Sequence, residues 1–188
     1  MNKILFINAC VRPNSRTLNL AKAFLEKQEG EIEQVDLYQL PLEKLDLKEL
    51  KTRDKAVENN DFSSKSFDLA KQFASADVIV IAAPYWDMMF PSVLKTYLEN
   101  ITVCGLTFKY SQEGKPQGMC NAKSLHYITT AGGFIGENDF GFSYIKALAQ
   151  NFFEISKVSS IVAEGLDIIG ANTQEILNNT KKKYLKGE

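Results

Sequence analysis

The chain has 188 residues, of which 24% are charged, and its formal net charge at pH 7 is −1. This balance argues against nucleic acids and anionic membrane surfaces as partners, because both attract strongly basic proteins, and no apolar run reaches the length of about 18 residues that spans a bilayer. A chain of this length can bury a sizeable core, and we predict a single domain over residues 1–188.

Five short segments have the length and the β-branched, apolar content of buried parallel strands. In chain order they are residues 3–9, 31–37, 77–83, 124–130 and 157–165. Amphipathic segments separate most of these strands from one another. Since strands that alternate with helices form right-handed crossovers, we predict an α/β fold, a three-layer sandwich in which helices cover both faces of a five-stranded parallel sheet.

The predicted helices place apolar residues on one face. These faces consist of Leu18, Ala21, Phe24 and Leu25; Leu94, Tyr97, Leu98 and Ile101; and Ile145, Leu148, Ala149 and Phe152. Pro91 suits the first turn of the middle helix, and Gly105 suits its end. Asn172 and Glu175 resemble a capping box that begins a last helix. The polar residues 42–66 are expected to form a surface helix or loop inserted before the helix that follows.

The three cysteines, Cys10, Cys104 and Cys120, lie far apart in the sequence. An odd number of separated cysteines predicts free thiols, with no disulfide framework and no metal site. The N-terminal segment also lacks the long apolar core and cleavage site of a secretory signal peptide. We therefore expect a cytoplasmic protein.

Ligands of open parallel sheets bind outside the carboxyl ends of the strands. The loops that follow Ala9, Ala83 and Thr130 are therefore the candidate binding loops. The first of them, CVRPNSRT (residues 10–17), lacks the glycine patterns of dinucleotide and nucleoside-triphosphate sites. It provides hydroxyl groups, arginines and the start of a helix near Ser15, which together suit a phosphate monoester.

Two other interpretations of this loop remain open. Cys10 and Arg16 have the spacing of the nucleophile and the arginine in low-molecular-weight phosphatases. Against a phosphatase, Pro13 has no N–H to contribute to a loop that wraps a phosphoryl group, and no aspartate precedes a proline to serve as general acid. The loop could also be a polar turn in which Cys10 is only a small buried side chain.

The second loop contains Tyr85, Trp86, Met88, Met89 and Phe90, more large apolar side chains than an ordinary solvent-exposed loop carries. A flat apolar ligand would explain them, as would packing on the core or on a partner subunit. The third loop is rich in glycine, which lets the backbone approach a ligand closely. A phosphate loop, an aromatic wall and a glycine edge at one end of the sheet predict a site for flavin mononucleotide (FMN).

With these motifs the chain resembles the flavodoxin-like NAD(P)H:quinone oxidoreductases, and among them most closely the FMN-dependent NADH azoreductases. The resemblance is most specific in VIVIAAPYWDMMFPSVLKTYLENITVCGLTFKY and recurs in ITTAGG and VAEG. It implies a flavodoxin-like fold in which three groups of residues bind FMN. They are Cys10, Ser15, Arg16 and Thr17 for the phosphate; Pro84, Tyr85, Trp86, Asp87 and Met88 for the ring; and Thr130, Ala131, Gly132 and Gly133 for the ring's edge.

Three of these positions depart from the family pattern. Cys10 and Asp87 stand where many members have serine and asparagine, and Ala131 stands where they have arginine. A carboxylate facing the ring would disfavour its anionic reduced form, so we expect the backbone amide of Asp87 to make that contact. Ala131 removes a cation that could steer the nucleotide, which leaves the choice between NADH and NADPH open.

The resemblance implies an enzyme that passes hydride from NADH or NADPH, through FMN, to a small aromatic acceptor such as a quinone or an azo compound. The cofactor carries this chemistry, so no catalytic side chain is expected, and His126 is interpreted as a core or edge residue. Family members are homodimers, in which Phe108 and Tyr110 are candidates to cover the partner's ring. The alternative is a flavodoxin-type electron carrier without turnover of its own.

Overall fold

The computed structural model describes residues 1–185, and residues 186–188 of the predicted domain lie outside this range. The described residues form seven strands and six helices. In chain order they are β1 (Lys3–Asn8), α1 (Arg16–Leu25), β2 (Glu31–Asp36), α2 (Leu47–Asn59), α3 (Asp68–Ser75), β3 (Val78–Ala82), α4 (Ser92–Ile101), β4 (Phe108–Tyr110), β5 (Pro116–Gly118), β6 (Ser124–Thr130), α5 (Phe140–Asn151), β7 (Lys157–Ala163) and α6 (Thr173–Leu185).

Five strands form one parallel sheet in the order β2-β1-β3-β6-β7, with helices on both faces. Alternation along β1 explains the two faces: Ile4 and Phe6 pack with α1 and α6, whereas Leu5 and Ile7 pack with α3, α4 and α5. All four side chains are at most 1% exposed. The predicted three-layer α/β sandwich is confirmed.

The register of the sheet brings the carboxyl ends of β1, β3 and β6 to the same level. Asn8 lies opposite Ala82 and Ala82 lies opposite Ile128. The pairing continues just beyond the strands, where the Tyr85 N–H donates to the Thr130 carbonyl at 3.1 Å. The three candidate loops therefore begin side by side at one edge of the sheet.

The ends of the helices agree with the sequence patterns in one case and disagree in another. Asn172 precedes α6, and its Oδ1 accepts a hydrogen bond from the Glu175 N–H at 3.1 Å, as in a capping box. Gly105, by contrast, does not end α4, which stops at Ile101. Gly105 lies in the following turn with a φ of +87°, and a Cβ there would approach the Phe62 ring to 2.6 Å.

The polar insertion, residues 42–66, contains the surface helix α2, one of the two forms that its sequence predicts. Arg53 fastens this helix to the C-terminus of α4 by donating hydrogen bonds to the carbonyls of Glu99 and Asn100, both at 3.0 Å. These carbonyls belong to the last turn of α4, where no further helix is available to bond them. Burial lowers the pKa of Arg53, but a guanidinium remains charged at neutral pH.

The antiparallel hairpin of β4 and β5 has no counterpart among the predicted elements. Each of its strands has only three residues, which is too short for an apolar alternation to appear in the sequence. Within residues 1–185, no helix is both long and apolar enough to cross a lipid bilayer.

We predict that Arg53→Met lowers the free energy of unfolding by about 1.5–3 kcal/mol, because the α4 carbonyls lose charged donors while the packed aliphatic stem is kept. Urea denaturation measures this difference. The matched control is Lys51→Met on the same helix, where the side chain is exposed and a change within about 0.5 kcal/mol is expected. Equal effects of the two substitutions would contradict a special role for Arg53.

Candidate functional site

A cavity of about 220 Å³ opens at the edge of the sheet where the loops after β1, β3 and β6 meet. Most of the predicted site residues line it: Cys10, Ser15, Arg16, Thr17, Pro84, Tyr85, Trp86, Thr130 and Gly132. Asp87, Met88, Ala131 and Gly133 do not line the cavity; Asp87, Ala131 and Gly133 are each adjacent in the chain to a residue that does, and Met88 is two residues from Trp86. The structure therefore brings the three predicted loops together.

Four further residues line the cavity outside the predicted set: Val11, Arg12, Asn14 and Asp167. Asp167 comes from a fourth loop, between β7 and α6. Because β7 ends at the same edge of the parallel sheet, the rule that selects the other loops applies to this one too. The sequence signal was present in the VAEG motif, which Asp167 closely follows.

Polar groups are concentrated at the start of α1, as the sequence predicts. Ser15 is the N-cap residue, and its Oγ accepts a hydrogen bond from the Leu18 N–H at 3.2 Å. Thr17 Oγ1 lies 2.7 Å from Thr130 Oγ1, and this buried contact joins α1 to the end of β6. The free N–H groups of the first helical turn, the nearby hydroxyls and the two arginines form an end of the cavity that suits an anion.

Cys10 is buried in the wall of the cavity and is 8% exposed. Burial raises the pKa of its thiol, and hydrogen bonds with Ser15 and Leu18 oppose this shift without cancelling it. The thiol is therefore protonated at neutral pH, whereas phosphatase chemistry needs a thiolate. Since Arg16 is also held by another residue, described below, the phosphatase interpretation is not supported.

The aromatic loop forms a tight turn with an unusual backbone. Trp86 and Met89 exchange two backbone hydrogen bonds of 2.8 Å, and the two residues between them, Asp87 and Met88, have φ values of +50° and +67°. This is the geometry of a type I′ turn, in which glycine or asparagine is usual. A methionine in the left-handed region is strained, and such strain concentrates at functional sites.

The large side chains of this loop divide between the core and the surface. Phe90 is 5% exposed and packs in the core, so core packing explains it without any ligand. Trp86 and Met88 are 39% and 45% exposed. Tyr85 is held by its hydroxyl, which donates to the Asn138 carbonyl at 2.9 Å. An exposed apolar surface therefore remains beside the polar end of the cavity.

The glycines of the third loop have different surroundings. A Cβ on Gly132 would lie 2.5 Å from Oδ2 of Asp167, so the atom that approaches this glycine most closely belongs to a side chain of the protein itself. A Cβ on Gly133 would meet no atom within 4 Å. Ala131 is buried, and its N–H donates to the Ala163 carbonyl at 2.9 Å. Gly133 therefore faces open space, and Gly132 lines the cavity beside Asp167.

Arg16 and Asp167 form a bidentate ion pair at the mouth of the cavity, with N–O distances of 2.7 and 3.0 Å. The hydrogen bond from Arg16 holds the pKa of Asp167 below its usual value, and the bond to Asp167 raises the pKa of Arg16. Both groups are therefore charged at neutral pH. The pair links the phosphate loop to the loop after β7.

His126 lies in β6 and takes no part in this site. Its Nδ1 is 2.9 Å from Ser159 Oγ, and its ring packs against Phe24 with 4.9 Å between the ring centroids. Burial lowers its pKa, so the imidazole is neutral at pH 7. These contacts agree with its interpretation as a core or edge residue. Across the described part of the chain, no group of three or more His, Cys, Asp or Glu side chains could hold a metal ion.

A larger groove, of about 970 Å³, lies between α2, α4, α5 and the β4–β5 hairpin. None of its lining residues belongs to the candidate loops. Its surface is mostly apolar, with Leu50, Leu98 and Leu148 among its walls. Phe108 is buried in this region against Phe152, whereas Tyr110 is 54% exposed. Phe108 is therefore unavailable to cover another subunit's ligand, and Tyr110 remains available.

The residues of the smaller cavity fit a flavin nucleotide. One end carries anion-binding groups and the adjacent surface carries the exposed Trp86 and Met88. At about 220 Å³, the cavity is smaller than the range of about 300–1,000 Å³ in which ligands are typically enclosed. It could therefore hold the phosphate end, and Trp86 and Met88 would then be available to contact the ring.

The sheet order, the helix layers and a binding edge at the carboxyl ends of the strands define a flavodoxin-like α/β protein. A family model for the flavodoxin-like fold matches residues 2–187. The chain belongs to this family, and its predicted flavodoxin-like fold is confirmed.

Relatives with assigned activities match nearly the whole chain. An FMN-dependent NADH:quinone oxidoreductase 2 from Clostridium acetobutylicum is 37% identical, and the match covers 97% of this chain and 96% of the relative. An FMN-dependent NADH:quinone oxidoreductase from Clostridium beijerinckii is 34% identical over the same shares.

Solved structures give the same result. An azoreductase from Bacillus anthracis superposes with a TM-score of 0.87 at 25% identity, covering 99% of this chain and 98% of the other. An FMN-dependent NADH-azoreductase from the same species, in complex with FMN, superposes with a TM-score of 0.80 at 26% identity, covering 97% and 95%.

We predict that Met88→Gly raises the free energy of unfolding by about 0.5–1.5 kcal/mol, because glycine adopts a positive φ without strain. Urea denaturation of the protein without added ligand measures the change. The control is Met119→Gly, which removes another exposed methionine outside the set of positive-φ residues and is expected to bring no gain. A loss of stability in Met88→Gly would show that the turn is not strained.

Proposed function

We propose that the protein is an FMN-dependent NADH oxidoreductase that reduces quinones, azo compounds or similar flat acceptors. When bound, FMN would supply the hydride-transfer chemistry between NADH and the acceptor. The observation that carries this proposal is the pairing of an anion-binding helix start with an exposed aromatic turn at one edge of the sheet. The activities named for the relatives support the same reaction.

Different residues of the cavity contact different parts of the proposed cofactor. Ser15, Thr17 and the first N–H groups of α1 bind the phosphate, with Arg16 as its cation and Cys10 as part of the wall. Trp86 and Met88 give the ring an apolar surface, and the backbone of Asp87 offers an amide at its edge. On the other side, residues 130–133 bring the backbone close to the ring, with Gly133 unobstructed.

No acid or base among the side chains is required for the reaction, because the cofactor carries the electrons and the proton needed by the acceptor comes from solvent. The protein's part is to orient the ring and exclude competing reactions. The electron-carrier alternative is not favoured, since the curated relatives are named as enzymes with NADH as substrate. The same names support NADH as the nucleotide.

We also propose that residues 1–188 form one domain that works as a cytoplasmic homodimer. The family match across residues 2–187 supports the single domain. Three free cysteines and a requirement for NADH support a reducing compartment. The apolar groove beside α5, with the exposed Tyr110 at its wall, offers a surface for a second copy. A partner could then cover the ring, which the shallow cavity leaves open.

We expect the purified protein to be yellow or to become yellow with added FMN, and anaerobic NADH to bleach the flavin band near neutral pH. Re-oxidation by a soluble quinone then completes the cycle in a spectrophotometer. A protein that binds FMN but is not reduced by NADH or NADPH would be an electron carrier. Failure to bind FMN would overturn the proposal.

We expect the wild-type chain to be a dimer by sedimentation equilibrium at micromolar concentration, and Ala147→Glu to be monomeric. Ala147 is exposed on α5 and lines the apolar groove, so a carboxylate there opposes burial of that surface. Gln150→Glu adds the same charge on the same helix outside the groove and should remain dimeric. A monomeric wild type would contradict the dimer without affecting the proposed reaction.

A further inference from the structure

The ion pair of Arg16 and Asp167 occupies the position at which a bound phosphate would seek a cation. Arg16 is the first residue of α1, directly after the N-cap Ser15. The two terminal nitrogens of its guanidinium each donate one hydrogen bond to the Asp167 carboxylate, at 2.7 and 3.0 Å. A phosphate monoester offers the guanidinium the same bidentate geometry. Asp167 and the phosphate are therefore competitors for one group.

Asp167 is held at this position from two sides. Its backbone N–H donates to the Gly132 carbonyl at 2.9 Å, and its side chain covers the face of Gly132, where a Cβ would lie 2.5 Å from Oδ2. The backbone of Asp167 is therefore fixed beside Arg16. Its side chain is nevertheless 62% exposed and that of Arg16 is 36% exposed, so water screens the pair and keeps it weak enough to exchange.

The charges around the cavity indicate that Asp167 weakens the binding of a phosphate. Arg12 and Arg16 contribute two cations to the lining, and Asp167 is the carboxylate among the lining residues. A phosphate monoester carries a charge of about −1.5 to −2 at pH 7. It must displace Asp167 from Arg16 and then lie beside the released carboxylate, and both effects oppose binding. A flavin without the phosphate experiences neither effect.

We propose that Asp167 sets how strongly the pocket prefers a phosphorylated flavin over an unphosphorylated one, by competing with the phosphate for the Arg16 guanidinium. Asp167 thus acts through Arg16 as a positioning residue and limits the affinity for FMN without affecting the surface that receives the ring. The inference rests on the proposed flavin site. It adds a residue of the fourth loop that determines ligand specificity.

The test compares FMN with riboflavin, which has the same ring and no phosphate. Flavin is removed from the full-length protein and each compound is titrated by fluorescence quenching at low and at high ionic strength. We expect Asp167→Asn to raise the ratio of FMN to riboflavin affinity by about three- to tenfold at low salt, and less at high salt. Arg16→Gln should lower the ratio by about tenfold. Riboflavin affinity should stay within about twofold in both variants.

Matched controls separate the local competition from a change in net charge. Glu137→Gln removes one carboxylate from an exposed position of the third loop outside the cavity lining, and Lys22→Gln removes one cation from an exposed position of α1. Neither should change the ratio by more than about twofold. In the Arg16→Gln background, the effect of Asp167→Asn should shrink, because no guanidinium is left to release.

Each other outcome overturns the inference. A lower ratio in Asp167→Asn would mean that the carboxylate orients Arg16 for the phosphate instead of competing with it. Equal changes in the affinities for FMN and riboflavin would mean that Asp167 has a purely structural role. If Asp167→Asn had the same effect in the Arg16→Gln background, Asp167 would act only through its charge at a distance and not through Arg16. If the wild type bound neither compound, the proposed function itself would fail, which is a separate and recognisable result.

Discussion

The alignment of the carboxyl ends of β1, β3 and β6 is the constraint on which the rest of the structure depends. Backbone hydrogen bonds fix this register, and the burial of both sheet faces forbids a shift by one residue, since every side chain would change face. In β6 the register directs Thr130 toward α1, where its hydroxyl meets that of Thr17. The position of the loop after β1 therefore follows from the strand pairing of the sheet that precedes it.

The central strands β1, β3 and β6 were largely predictable because they are mostly buried and appear in the sequence as apolar runs, whereas the edge strands β2 and β7 are partly exposed and carry a weaker signal. The same reasoning fails for β4 and β5, whose three-residue strands are stabilised by their place in the tertiary structure and leave no periodic signal. Gly105 shows a related limit. A glycine after a helix suggests a cap, but here it serves a turn that packs against Phe62, a residue of the distant polar insertion.

The candidate site was predictable where the chemistry is local and unpredictable where loops meet. The residue type of Ser15 indicates the start of a helix. The unusual aromatic composition of residues 85–90 indicates a binding loop. Asp167 depends on the path of a fourth loop, and its contact with Arg16 spans 151 residues of sequence. The left-handed backbone of Asp87 and Met88 was also hidden, because neither residue type requires it.

The buried position of Cys10 makes its thiol resistant to oxidation, a property that the sequence does not indicate. Reduced flavins that meet dioxygen produce hydrogen peroxide, and peroxide converts exposed thiolates to sulfenic and higher oxidation states. Burial keeps this sulfur in its protonated, slowly reacting form. With FMN bound as proposed, this sulfur would lie beside a peroxide-generating cofactor and would react slowly with the peroxide.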